Sequence, residues 1–315
     1  MNTADFQQLE KQYGDLGSTW LGGFLSLALR IATTAFAMWL SFQDAWPVWL
    51  LGQLIFGFAM FHWFSIVHDC GHYAFLPSRK ANIAVGFLAS LFCFVPYSSW
   101  KHVHFEHHQW TGWIDQDPST RDLLKVTPRK RRMARLVWAS YLPGFAFSFL
   151  LGTFWNTPKL MSLFRKPKIR AELIFNLVLI LAVHIAYAVF IGHWLSMFGL
   201  ALVFFGFICE PIILSQHVHI PMGQGQTSPQ LIPFHEQDQY TRALVFPRWV
   251  SRYLTLSFEN HIGHHFFPWI PSYELYKVET KTGGEVPAFQ WIKAARKVRG
   301  DVLIFEDRDQ TGLSL

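Results

Sequence analysis

Charge is what this sequence is short of. Only 15% of its 315 residues are Asp, Glu, Lys or Arg, where soluble domains carry roughly a quarter. That deficit excludes an ordinary water-soluble domain and points to lipid or to an unusually large core. Cysteine is also scarce. Cys70, Cys93 and Cys209 show neither a pairing pattern nor metal spacing, which excludes a disulfide scaffold and reads as reduced thiols. The opening MNTADFQQLEKQ is polar and acidic, so no cleavable secretion signal is expected. Internal repeats, heptads and low-complexity tracts are absent. Lys and Arg are missing from the short connections Ser41–Pro47 and Gly192–Trp194.

What is present is apolar and aromatic: 51% of residues are hydrophobic and 17% are Phe, Trp or Tyr. The apolar residues come in runs. Residues 20–42, 48–67, 172–192 and 194–214 each approach the roughly 20 that cross a bilayer as a helix. Two further stretches, Ile83–Tyr97 and Trp138–Trp155, are shorter or interrupted by Pro143 and Gly144. The expected fold class is therefore an all-α integral membrane protein with four transmembrane helices in two hairpins. Interfacial or re-entrant helices and a cytoplasmic helical cap (68–170 and 215–315) complete a single domain over residues 1–315.

Eight of the 15 histidines fall into three clusters: His68 and His72; His104, His107 and His108; His261, His264 and His265. Spacings of i, i+3 and i+4 put the imidazoles of each cluster on one helix face. Two histidines four apart often only pack, but three such clusters beside apolar segments read as metal ligands. Eight imidazoles exceed one closed tetrahedral site, so two ions are the natural count. Ligand type alone does not name the metal, because imidazole serves Zn, Cu, Fe and Ni. The surplus over a closed structural site favours a redox-active di-iron centre. His217, directly after the fourth run, mirrors His68 and is the best candidate for a ninth ligand. His219 is its close rival, and periodicity does not separate the two. Asp69, Glu106, Glu259 and Asn260 are candidates to fix the ring tautomers.

Basic residues set the topology. Residues 69–170 carry 15 Lys and Arg and residues 216–315 carry 10, which places both regions in the cytoplasm. The run Arg129-Lys130-Arg131-Arg132 then faces anionic headgroups rather than nucleic acid. With four spans all three clusters share the cytoplasmic face. Were Ile83–Tyr97 or Trp138–Trp155 to cross alone, they would not, so both stretches are read as re-entrant or interfacial. Glu210-Pro211 inside the fourth span is expensive in lipid and hints at an approach to the metals. Arg30 reads as a snorkelling or paired residue. His62, His102, His184, His193 and His235 stay outside the ligand set.

At this point the residues resemble the membrane-bound fatty acid desaturases, over roughly residues 45–275. The resemblance rests on His68-Asp-Cys-Gly-His72 and on Val95-Pro-Tyr-Ser-Ser-Trp-Lys101 leading into His104-x-x-His107-His108 with Thr111-Gly112 behind. It rests equally on Asn260-His261-Ile-Gly-His264-His265-Phe-Phe-Pro268. Gln216-His217-Val-His219 is similar to the short element before the third box in delta-12-type members, whose first histidine is expected to ligate iron. His261 stands where front-end members usually carry glutamine. The resemblance implies two Fe2+ ions, O2 as co-substrate and a fatty acyl substrate carried on CoA, carrier protein or lipid. With no fused cytochrome b domain in the sequence, it implies a separate electron donor such as ferredoxin or a cytochrome b protein. The bacterial inner membrane or the endoplasmic reticulum is the expected location.

The topology yields one prediction. A single cysteine engineered into the Ser41–Pro47 connection should be labelled by an impermeant maleimide only from the non-cytoplasmic side. Labelling from the cytoplasmic side alone would overturn the four-span arrangement.

Overall fold

A computed structural model describes all 315 residues. Its helices are, in order, α1 (Thr3–Tyr13), α2 (Trp20–Ser41), α3 (Trp46–Gly71), α4 (Arg79–Cys93), α5 (Tyr97–Trp110), α6 (Pro128–Ala139), α7 (Gly144–Phe149), α8 (Thr157–Leu163), α9 (Pro167–Phe190) and α10 (Trp194–His217). Short elements follow: β1 (Ala243–Val245), α11 (Arg248–Tyr253), α12 (His261–Phe266), α13 (Ser272–Leu275), β2 (Glu285–Pro287), α14 (Ala288–Ala295), α15 (Gly300–Phe305) and α16 (Arg308–Thr311). They form two compact units. A span unit comprises residues 18–102 and 147–209, and a histidine unit comprises residues 1–17, 103–146 and 210–315.

Four helices, α2, α3, α9 and α10, are long and apolar enough to cross a membrane. Their starts follow from sequence. The Thr19 hydroxyl accepts from Gly22 N–H at 3.0 Å to cap α2, and proline occupies the first turns of α3 and α9, where its missing donor is of no consequence. In the most apolar stretch of α2 and of α9 only 22% is buried, against 72% in α3. Leu21, Leu25, Phe175, Ile185 and Val189 are among the large side chains left outward. That much exposed hydrocarbon is compatible with lipid as solvent and not with water. The chain is a multi-pass membrane protein.

Polar residues inside the span unit are paired with one another. Arg30 Nη1 of α2 lies 2.8 Å from His62 Nδ1 of α3, and Trp63 Nε1 donates to Thr34 Oγ1 at 2.8 Å. Fully buried Gln53 of α3 donates to Ser41 Oγ at 2.9 Å and to the Met197 carbonyl at 3.0 Å, and accepts from Ala201 N–H at 3.0 Å. One side chain thereby joins three spans where water is not available to substitute.

Of the two stretches expected to be re-entrant or interfacial, Ile83–Tyr97 ends in a sharp bend. α4 and the start of α5 are bent by 106° at Phe94–Pro96. Phe94 has φ 58°, and Pro96 disfavours helix in the residue before it. The bend is held closely. A Cβ on Gly86 would stand 2.4 Å from the Tyr97 ring, and Asn176 of α9 accepts from Ser98 N–H at 2.9 Å while donating to Ser90 Oγ at 3.2 Å. His184 is used in packing, 2.8 Å from the Leu91 carbonyl and accepting from Trp194 Nε1 at 3.1 Å.

In the histidine unit, α6, α14 and α15 gather around Trp138, Trp291, Ala295 and Leu303. A two-stranded parallel ladder pairs Ala243–Val245 with Glu285–Pro287. Leu244 N–H of β1 donates to the Glu259 carbonyl at 3.1 Å, just before α12. The other side of α12 sinks into a cluster of Ile262, Phe266, Phe267, Ile270 and Leu275, on which Phe6 and Tyr13 of α1 also lie. Glu210, expected near the metals, instead caps a helix: its carboxylate accepts from Ala146 N–H at 2.7 Å and from Phe145 N–H at 3.4 Å at the start of α7.

Candidate metal centre

Seven of the nine candidate ligands belong to the histidine unit. α5 presents His104, His107 and His108, α12 presents His261, His264 and His265, and α10 ends on His217. The boxes are shaped by their neighbours. Asn260 caps α12 by accepting from Gly263 N–H at 3.2 Å and anchors it by donating to the Val278 carbonyl at 3.0 Å. A Cβ at residue 263 would stand 2.8 Å from Asn260 Oδ1, which explains the glycine between His261 and His264. Behind the second box, Gly112 turns the chain at φ 94°, and Thr111 Oγ1 donates to the His107 carbonyl at 2.7 Å.

The ring nitrogens converge. One ligand atom from each of His107, His217, His261 and His265 lies within 4.8 Å of all the others. His261 Nε2 is 2.9 Å from His217 Nε2 and 3.0 Å from His265 Nε2. Beside this group, His108 Nε2 is 3.1 Å from His104 Nε2 and 2.9 Å from His264 Nε2, and the last two are 3.4 Å apart. In the span unit, His68 stands in the last turn of α3 and His72 caps its end, with ring centroids 5.2 Å apart.

The opposite nitrogens show why the arrangement could hold a cation. His107 Nδ1 donates to Asp117 Oδ2 at 2.6 Å, His217 Nδ1 to the Tyr240 carbonyl at 2.9 Å, and His265 Nδ1 to Gln237 Oε1 at 2.7 Å. A neutral imidazole that donates through Nδ1 keeps a lone pair on Nε2. Three rings of one four-histidine group therefore point lone pairs at a common space, an arrangement that repels itself unless a positive ion lies there. His–metal bonds of about 2.0–2.1 Å suit nitrogens spaced as these are. Burial, then the neighbouring His108, His261, His107 and His217, hold the His265 imidazole well below its ordinary protonation range, so it remains a ligand-competent neutral base. Burial alone would push the Asp117 carboxyl up. Electrostatic attraction and the hydrogen bond from the His107 Nδ1–H, with hydrogen bonds from Ser119, outweigh it and hold Asp117 below the usual carboxylate range.

Of the four residues expected to orient the rings, Asp69 has its Oδ1 3.2 Å from His68 Nδ1. Asn260 serves as helix cap and anchor, and buried Glu259 turns its carboxyl to Ser251 and Thr255. Glu106 is partly exposed on α5. Asp117, Gln237 and the Tyr240 carbonyl escaped sequence reasoning. Asp117 lies in an irregular turn ten residues beyond His107, and Gln237 lies 28 residues before His265, and no periodicity marks either. His219 Nε2 faces Thr311 Oγ1 at 2.6 Å, away from the convergent nitrogens of its neighbour His217. His102 pairs with Glu172 at 3.7 Å, and His235 lies against Phe6 with ring centroids 5.5 Å apart.

The Asp117–His107 pair generates a prediction. Asp117→Ala should weaken Co(II) binding to the metal-free protein by about 100-fold, and Asp117→Asn, which keeps an acceptor, by about tenfold. Competition with a chromogenic chelator measures both. An unchanged affinity in Asp117→Ala would remove Asp117 from the site.

The description "Fatty acid desaturase" belongs to the family whose model matches residues 44–292, a stretch that runs through both units. The probable fatty acid desaturase DES1 of Sorghum bicolor is 27% identical over 80% of this chain and 66% of its own. The omega-3 fatty acid desaturase fat-1 of Caenorhabditis elegans is 26% identical over 72% of this chain and 58% of its own. The sn-1 oleoyl-lipid 12-desaturase of a Picosynechococcus strain is 28% identical over 73% of this chain and 67% of its own. The chain thus spans about two thirds or less of the length of these relatives. By the extent of the family match and the histidine boxes that lie inside it, the chain belongs to the fatty acid desaturase family.

Proposed function

We propose that this protein is an oxygen-dependent fatty acyl desaturase that converts two adjacent methylenes of an acyl chain to a cis- or trans-disposed alkene. The balance is R–CH2–CH2–R′ + O2 + 2e− + 2H+ → R–CH=CH–R′ + 2H2O, so a separate one-electron donor, a ferredoxin or a cytochrome b protein, is part of the reading. The observation that carries it is the convergence of His107, His217, His261 and His265 with the far nitrogens of three of the rings tied to acceptors. These four would hold one Fe2+ ion. The remaining proposed ligands are His104, His108 and His264 in the histidine unit and His68 and His72 in the span unit. Bound iron would supply the dioxygen activation that none of these side chains can perform.

The protein's own contribution is to keep each ligand neutral and aimed before metal arrives, and to exclude water. Burial of the six histidines of the second and third boxes does both, since a protonated imidazole is no ligand and a wet site lets reactive species escape. Relatives named as omega-3 and oleoyl-lipid 12-desaturases, together with His261 opening the third box, support a methyl-end rather than a front-end specificity. The basic-residue distribution supports boxes on the cytoplasmic side of a bacterial inner membrane or of the endoplasmic reticulum.

Expression with a reductase and electron donor, followed by mass spectrometric location of new unsaturation, tests the reading. A new alkene that depends on O2 and on His261 and His265 is expected. Hydroxylated or acetylenic products without an alkene would overturn it, as would purified protein holding zinc in place of iron.

A further inference from the structure

Gln237 is fully buried, and both ends of its side-chain amide are hydrogen bonded. Its Oε1 accepts from His265 Nδ1 at 2.7 Å, while Nε2 donates to the His108 carbonyl at 3.0 Å and to the Ile232 carbonyl at 3.0 Å. His108 ends the second box and His265 ends the third, so one amide spans from α5 to α12. The 3-10 turn that carries it, Phe234–Gln239, packs directly on α12, and Thr241 Oγ1 donates to the Gln237 carbonyl at 3.2 Å.

We propose that Gln237 is a positioning residue that fixes the His265 tautomer and holds the second and third histidine boxes in register, so that the His107–His217–His261–His265 group is assembled before metal binds. The inference rests on the metal reading given above and adds to it a residue outside all three boxes.

The chemistry calls for an amide and nothing else. At Asp117 a carboxylate suffices, because the groups facing it, His107 and Ser119, are donors. Gln237 faces one donor and two carbonyl acceptors. Glutamate there would accept from His265 but would set its other oxygen against the His108 and Ile232 carbonyls. Methionine has nearly the same volume and can make none of the three bonds, leaving His265 Nδ1–H buried without a partner. A neutral acceptor also leaves His265 less electron-rich than His107, so two rings of one group differ in donor strength.

Wild type, Gln237→Met and Gln237→Glu full-length proteins, purified in detergent and stripped of metal, are titrated with Co(II) anaerobically in competition with a chelator. Visible ligand-field absorption reports the geometry, and thermal unfolding of the metal-free forms is followed alongside. Wild type should take up two ions. Both variants should bind the ion of the His107–His217–His261–His265 group about 10- to 100-fold more weakly, and the other ion, which draws on the same two boxes but not on His265, should weaken less. Gln237→Glu should rescue nothing. Two unaltered sites in Gln237→Met would overturn the inference while leaving the metal reading intact, and so would a parallel loss of both ions with collapse of metal-free unfolding, which marks a merely structural role. A wild type that binds no metal would instead sink the metal reading. Should Gln237→Met fail to accumulate, Gln237→Asn, which withdraws the amide by one methylene, takes its place with the same two outcomes.

Discussion

Everything in the histidine unit depends on one electrostatic requirement: several lone pairs must be held facing one another before the cation that reconciles them is present. Left to themselves, buried imidazoles would rotate, protonate or hydrogen bond to each other. Here His107, His217 and His265 are prevented from doing so by acceptors behind the ring, a carboxylate, a backbone carbonyl and an amide in turn. The diversity of these acceptors has a consequence. Each is tied to a different part of the chain, so the geometry of the group integrates α5, the end of α10, the 3-10 turn before β1, and α12.

Packing then supplies the stiffness that hydrogen bonds alone do not. α12 is a helix of only six residues, too short to be stable by itself. It holds because Ile262 and Phe266 are buried completely on one side of it and Asn260 closes its first turn. The aromatic side chains of α1 lie on the same cluster, so the N-terminal helix contributes to the shape of the third box. In the span unit the same logic runs with lipid as solvent. Gln53, Asn176 and the Arg30–His62 pair satisfy one another across helices because the bilayer offers them nothing.

The large features were legible in the sequence because they are written in periodicity. Apolar runs located α2, α3, α9 and α10 to within a few residues; α3 continues to Gly71 and so carries His68 on helix, as the spacing of the first box required, and α10 reaches His217. The bend between α4 and α5 was legible from a parity argument. Gln237, Asp117 and Glu210 were not. Each acts through a partner at least ten residues away in sequence, at an angle no local pattern encodes. Asn260 shows the converse. Adjacency to the third box made it a candidate to orient a ring, yet its position as N-cap fully accounts for it. Adjacency in sequence proved a weaker guide than the question of which acceptor faces each Nδ1.

The central claim is that nitrogen atoms of buried imidazoles, with no thiolate among them, surround iron in this protein. X-ray absorption at the iron edge of the purified, iron-loaded full-length protein tests it most directly. The account predicts a nearest shell of light scatterers with the outer-shell pattern of several imidazole rings around each ion. A sulfur shell, or a metal signal confined to the zinc edge, would contradict it.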